Sequence, residues 1–232
     1  TGFIELKAPG KGADPRKFTD PHDKRQWQKL KSLPNLLYSD GQSFSLWQNG
    51  ALVGQIIHLS GDLDSAGAKL TAPQTLVTLL TDFLSWSPIP PDSPRKLAEV
   101  SARLCRLLRD EVLEELENGT QSLTDLATEW RGLLFPQADD AQFADGYAQA
   151  VTFGLLMARA QDIPLDKGIA HAALALRDTN TLIGTALRLL TDDPQTQKAL
   201  STATSTLTRV LHEVHWPTLS KGKPDAWLYF YE

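Results

Sequence analysis

The run Phe3-Ile4-Glu5-Leu6-Lys7-Ala8-Pro9-Gly10 decides how this chain is read. Ile4 and Leu6 alternate with Glu5 and Lys7, the period of a short β-strand, and Ala8-Pro9-Gly10 stops the strand in a loop. Side chains alternate across a strand, so Glu5 and Lys7 share one face and Ile4 and Leu6 the other. The expectation is that the apolar pair anchors the strand from behind. A carboxylate and an ammonium then stand side by side on the open face. That arrangement suits a divalent metal beside a phosphate, and it equally suits a salt bridge on a solvated strand.

Working outward, residues 11–21 are rich in Gly, Asp, Pro and Lys and read as a loop. Asp20-Pro21 reads as an N-cap followed by proline at the first helical position. The helix runs to about Ser32, with Trp27, Leu30 and Leu33 on its buried side, and Pro34 ends it. Asn35–Ser39, Ser43–Gln48 and Ala51–Leu59 read as strands joined by hairpin turns at Asp40-Gly41 and Asn49-Gly50. Residues 60–72 are rich in Gly, Asp and Ser and read as a boundary. Beyond them the hydrophobic period becomes helical, over about 73–86, 94–117, 120–134, 140–162, 167–191 and 195–215. Asn118-Gly119 reads as a helix stop, and Leu97, Val100, Leu104, Leu107, Leu108 and Val112 as one buried stripe. The expected fold class is α+β. A truncated α/β unit (strand, helix, three-stranded meander) occupies 1–60 and a linker 61–72. An all-α helical bundle follows over 73–222, with the start of a further segment at 223–232.

The chain has 232 residues and one cysteine, Cys105, which excludes an internal disulfide and a cysteine-based zinc site. Cysteine usage suits a cytoplasmic setting. No apolar run is long enough to cross a bilayer, so no membrane partner is expected. The start at Thr1 inside a strand and the aromatic close Leu228-Tyr229-Phe230-Tyr231-Glu232 suggest a piece of a longer protein. Net charge is −5, yet residues 1–40 hold eight Lys and Arg against five Asp and Glu. A basic segment around the Glu-x-Lys strand suits a phosphate backbone, with Lys11, Arg16, Lys17, Lys24 and Arg25 as its candidate DNA contacts. A solvated basic helix gives the same count.

Glu5 and Lys7 carry the chemistry of interest. Mg²⁺ prefers oxygen ligands, keeps several waters and needs only one or two carboxylates. A neighbouring lysine can orient a nucleophile or stabilise developing charge. The run from Phe3 to Gly10, then Asp23-Lys24-Arg25-Gln26-Trp27, then Pro34-Asn35-Leu36-Leu37-Tyr38-Ser39-Asp40-Gly41, resembles a known family. It is similar to the amino-terminal nuclease-like domain of bacterial restriction and phage-defence proteins fused to an N6-adenine DNA methyltransferase. Those domains are similar to the PD-(D/E)xK nucleases. Tyr147–Leu155 and Trp227–Glu232 resemble the helical connector that leads to the methyltransferase.

The resemblance implies a Mg²⁺-dependent DNA endonuclease site. Glu5, Lys7 and Gln26 would be catalytic, and Glu5 and the carbonyl of Leu6 would be metal ligands. The implied partners are DNA and the methyltransferase domain of the same parent chain, and S-adenosylmethionine would belong to that part alone. The family also places an aspartate on the strand before Glu-x-Lys, which precedes the residues of this chain. The piece as cut is therefore expected to be a poor nuclease. A DNA-binding module without cleavage and a purely structural spacer are the alternatives.

Other signals carry less. His212 and His215 are spaced to share a helix face, as two ligands of a zinc site would be, but no third ligand is evident. His58 and His171 read as structural. Trp27, Trp47 and Trp130 suit core packing better than base stacking. Asp62-Leu63-Asp64-Ser65 resembles half a calcium loop without its distal glutamate. No phosphate-binding glycine loop is present, which argues against nucleotide hydrolysis.

Overall fold

The computed structural model describes residues 2–61, 63, 69–133 and 135–221. The half calcium loop at 62–65 and the closing segment 223–232 therefore lie, wholly or in part, outside the described residues. The fold is α+β, a four-stranded mixed sheet with a helical region. The chain divides into two compact units, Thr1–Ser87 and Pro88–Glu232.

In the first unit the strands are β1 (Phe3–Leu6), β2 (Leu36–Ser39), β3 (Ser43–Gln48) and β4 (Ala51–His58), in that spatial order. β2, β3 and β4 form the antiparallel meander, and β1 joins β2 in parallel through helix α1 (Pro21–Leu30). The hairpins form where the local chemistry puts them. Asn49 and Gly50 both take positive φ, 51° and 81°, as a two-residue turn of the type I′ kind requires. Asp20 caps α1 by accepting from the backbone N–H groups of His22 and Asp23.

The two faces of the sheet are covered differently. On one face Trp27 of α1 packs edge-on against Trp47 and Tyr38, with ring centroids 4.9 and 6.0 Å away. On the other, helix α2 (Gln74–Ser85) sets Leu76, Leu79 and Phe83 against Leu37, Leu46 and Ile57. Asn35 Nδ2 donates to the Phe83 carbonyl at 2.9 Å, fastening the end of α2 beside β2. This moves the boundary expected at 61–72. The helix that follows it belongs to the sheet's own core, and the division falls after Ser87.

A second correction concerns β1. Ile4 and Leu6 do not anchor the strand, since they are 56% and 72% exposed. The covered face is the one that carries Glu5 and Lys7. β1 is the edge strand among the described residues, and the apolar cluster beneath α2 draws its sheet residues from β2, β3 and β4.

The second unit is helical. Helix α3 (Pro94–Glu117) buries Leu97, Leu104, Leu107, Leu108 and Val112 and stops at Asn118, with Gly119 at φ +74°. Helix α4 (Gln121–Leu133) follows, then α5 (Asp140–Ala160), which opens with a reciprocal capping box between Asp139 and Gln142. α5 is buried through its middle, from Tyr147 to Leu156 on several sides, and packs against α3, α6 and α7. The run Tyr147–Leu155 is thus the spine of this unit.

The helix expected over 167–191 is two helices, α6 (Ile169–Thr179) and α7 (Thr181–Thr191). Asn180 leaves helical geometry and its side chain accepts from Ile183 N–H at 3.2 Å, capping α7 instead of continuing α6. The helix expected over 195–215 is also divided, into α8 (Pro194–Ala199) and α9 (Ser201–His212), with α10 (Trp216–Ser220) beyond. α9 has no side-chain cap of its own. Buried Glu111 of α3 supplies the acceptor, taking the Ala203 N–H at 3.0 Å. A carboxylate there also matches the positive end of the helix dipole.

The α6–α7 pair is held close by Gly184. A Cβ there would lie 2.3 Å from the Arg177 nitrogen and 2.8 Å from the Ala173 carbonyl oxygen. Alanine favours an isolated helix over glycine by about 1 kcal/mol. Gly184→Ala is nonetheless expected to destabilise the chain by about 1–3 kcal/mol, because backbone must move to admit the methyl. Urea denaturation of the variant measures it, and a gain in stability would contradict the close approach.

Candidate functional site

Glu5 lies on β1, Lys7 follows it directly, and Gln26 lies on α1, which crosses that face of the sheet. The structure brings all three together around the Lys7 ammonium. Lys7 Nζ lies 3.1 Å from Glu5 Oε1 and donates to Asp23 Oδ1 at 2.8 Å and to Gln26 Oε1. An ammonium has three N–H donors, and three acceptors surround it. The Phe18 ring completes the enclosure, with its centroid 5.5 Å from Nζ. The Lys7 side chain is only 6% exposed, whereas Glu5 keeps 21% of its side chain open.

Asp23 is the residue that sequence reading missed. It lies one turn before Gln26, so the two share the face of α1 that meets β1. Its other oxygen accepts from Lys11. The hydrogen bonds from Lys11 and Lys7 together hold the Asp23 carboxyl down to about 2, from an ordinary 3.8. The available signal was the spacing Asp23, Gln26, Trp27, one buried helix face carrying two polar groups.

The loop between β1 and α1 is tied to the sheet at several points. Gly12 N–H donates to Asp40 Oδ2 at 2.8 Å, and Ser45 Oγ donates to the Ala13 carbonyl. Asp14 caps the short 3-10 turn Pro15–Lys17. It also receives Arg16 through Nε and Nη2, at 2.8 and 2.9 Å. The Arg16 hydrogen bonds lower the Asp14 carboxyl. The same guanidinium lies 5.0 Å from the Trp47 ring.

The five basic residues expected to contact DNA are therefore not equivalent. Lys11 pairs with Asp23, and Arg16 is engaged by Asp14 and Trp47. Lys17 is largely exposed, 3.9 Å from Asp14. Lys24 and Arg25 are exposed on the side of α1 turned away from Glu5 and Lys7.

The residues given other roles find ordinary places. His212 Nδ1 accepts from Leu165 N–H and His215 Nδ1 pairs with Thr218, so the two do not converge. Trp27 and Trp47 are buried in the aromatic core, and Trp130 packs on Phe135 and Phe143. Among the described residues, no three His, Cys, Asp or Glu side chains converge as a ready metal cage, and no helix is long and apolar enough to cross a membrane.

Comparison with protein-family models, with curated proteins and with solved structures yields no match.

The Asp23 carboxylate gives a pH prediction. Its folded value lies below its unfolded one, so its contribution is present above about pH 4 and is lost as pH falls toward about 2. Asp23→Asn is expected to be less stable than the native chain at neutral pH, with the difference shrinking across that acid window. Denaturation midpoints at a series of pH values check this. A constant difference from neutral to acid would remove the ion pair from the account.

Proposed function

We propose that the chain is part of a bacterial DNA restriction-modification or phage-defence protein. In this reading the first unit derives from a Mg²⁺-dependent, PD-(D/E)xK-like endonuclease domain, and the helical unit connects it to a methyltransferase. The observation that carries the reading is the convergence of Glu5, Lys7 and Gln26, from a strand and the helix after it, on one partly open cluster. Glu5 and Lys7 share a face by the alternation of the strand, but Gln26 lies 19 residues beyond Lys7 and nothing local obliges it to meet them.

The donor set fits a Mg²⁺ ion in part. Glu5 offers a carboxylate with open surface. Phe3 and Lys7 direct their N–H groups to β2. By the alternation of a strand backbone, the carbonyl of Leu6 then faces the open edge of β1. One carboxylate, one carbonyl and retained waters satisfy Mg²⁺ as it is ordinarily bound. When bound, the ion would polarise a phosphate and lower the pKa of a water.

This chain's own residues have distinct parts in that scheme. Glu5 and the Leu6 carbonyl would hold the cation. Lys7 orients water or balances charge developing on phosphate. Gln26 and Asp23 fix the ammonium so that it needs no reorganisation. Lys11 and Lys17, on the loop beside this cluster, are the cations best placed for a phosphate backbone.

A second reading is favoured by one observation. Lys7 and Lys11 already neutralise the carboxylates of the cluster. A module that binds DNA without cutting it would show that balance. Its binding would weaken steeply with salt and not depend on Mg²⁺.

The deciding experiment is Mg²⁺-dependent plasmid cleavage by the intact protein that carries this chain. Lys7→Ala and Glu5→Gln are expected to lower cleavage by about 10²–10³-fold, with DNA affinity nearly unchanged. Equal cleavage by native and variant proteins would assign the cluster to the scaffold. Salt-sensitive binding without any cleavage would favour the second reading.

A further inference from the structure

Tyr38 is fully buried and, among the described residues, its hydroxyl has no hydrogen-bond partner. Buried tyrosine hydroxyls ordinarily find one. Leaving a buried polar group unpaired costs about 1–3 kcal/mol, and phenylalanine would fill the same space without that cost. The position of Tyr38 shows what the hydroxyl can serve.

In the parallel ladder Tyr38 is the register partner of Glu5, so both side chains leave the same face of the sheet on neighbouring strands. Phe18 and Trp27 each place a ring centroid 6.0 Å from that of Tyr38. The aromatic packing fixes the ring, and the hydroxyl has little freedom to seek a partner elsewhere. Burial, and then the negative charges of Glu5 and Asp23, push the Tyr38 phenol up, so it stays neutral and can donate. The acceptors of the neighbourhood are largely taken up, since Asp23 receives Lys7 and Lys11, and Gln26 receives Lys7. Glu5 meets Lys7 through Oε1 and is the carboxylate of the cluster with open surface.

We infer that the Tyr38 hydroxyl is a positioning group for Glu5, donating to its carboxylate, directly or through one water, when Glu5 turns from Lys7 to a divalent cation. This rests on the reading of Glu5 as a cation ligand. Hydrogen bonds to ligating carboxylates fix their orientation, and their removal typically weakens metal affinity about 10–100-fold. Tyr38 itself touches neither the cation nor a substrate in this scheme. Its effect passes through the rotamer of Glu5.

The test uses this chain with Mn²⁺ as the probe, its free concentration followed by electron paramagnetic resonance, beside thermal denaturation. Tyr38→Phe keeps the ring and removes the hydroxyl. The expected result is an unchanged or raised melting temperature together with roughly ten-fold weaker Mn²⁺ binding, while Glu5→Gln abolishes binding. A variant that melts lower would mean that the hydroxyl already has a structural partner, and the inference falls. Native Mn²⁺ affinity in Tyr38→Phe, with binding lost in Glu5→Gln, overturns the role of Tyr38 and leaves the cation site standing. If the native chain and Glu5→Gln bind Mn²⁺ alike, or neither binds it, the cation site and the role of Tyr38 fall together.

Discussion

An ammonium taken out of water must be met by acceptors, and Lys7 is met by three. This constraint organises the first unit. Glu5 comes from the same strand as Lys7, whereas Asp23 and Gln26 come from α1, so the charge can be satisfied only when α1 lies over β1. The aromatic residues then close around it, with Phe18 against Lys7 and Trp27 between Tyr38 and Trp47. Burying a paired charge is seldom a gain over burying an apolar residue, while breaking such a pair is expensive. The cluster therefore reads as a specification of geometry, an arrangement kept for what it holds in place. In the proposed endonuclease reading, what it holds in place is a lysine with a fixed bearing beside a carboxylate that keeps some open surface.

Asp23 changes how that site is understood. A Glu-x-Lys strand alone offers one positive and one negative group that could simply neutralise each other. With Asp23 present the lysine has a second counter-charge beside Glu5. Lys11 in turn compensates Asp23 from the more exposed side. The result is a short relay of alternating charge from the loop to the strand. Displacement of Lys11 toward a phosphate would leave Asp23 held by Lys7 alone, so contact with a polyanion and the electrostatics of Glu5 are physically coupled.

Much of this was legible in the sequence where the signal was local. The turns at Asp40-Gly41 and Asn49-Gly50, the cap at Asp20 and the stop at Asn118-Gly119 were readable because each depends on neighbouring residues. The shared face of Glu5 and Lys7 followed from strand spacing, whereas the position of Gln26 beside them was suggested only by a motif. What failed to show was tertiary. Alternation told that β1 has two faces, but not that its polar face would be covered and Ile4 and Leu6 left open. The apolar pattern of α2 gave a helix without saying which core it joins. Asn180 interrupts a helical pattern with a residue that a helix tolerates, and only its capping bond turns it into a break. Glu111 caps a helix that begins far along the chain, and nothing in either segment announces it.

The parallel pairing of β1 with β2 has a kinetic consequence. The meander closes through turns of a few residues, which is entropically cheap. The register from Phe3 to Leu36 must instead close a loop that includes the whole of α1. Contacts of long sequence separation are slow to form, since the chain loses its freedom before they repay it. Glu5, Lys7, Asp23, Gln26 and Tyr38 are brought together by that one long-range closure. The cluster is thus expected to form late in the folding of its unit, and an opening that frees β1 would dismantle it without breaking the hairpins.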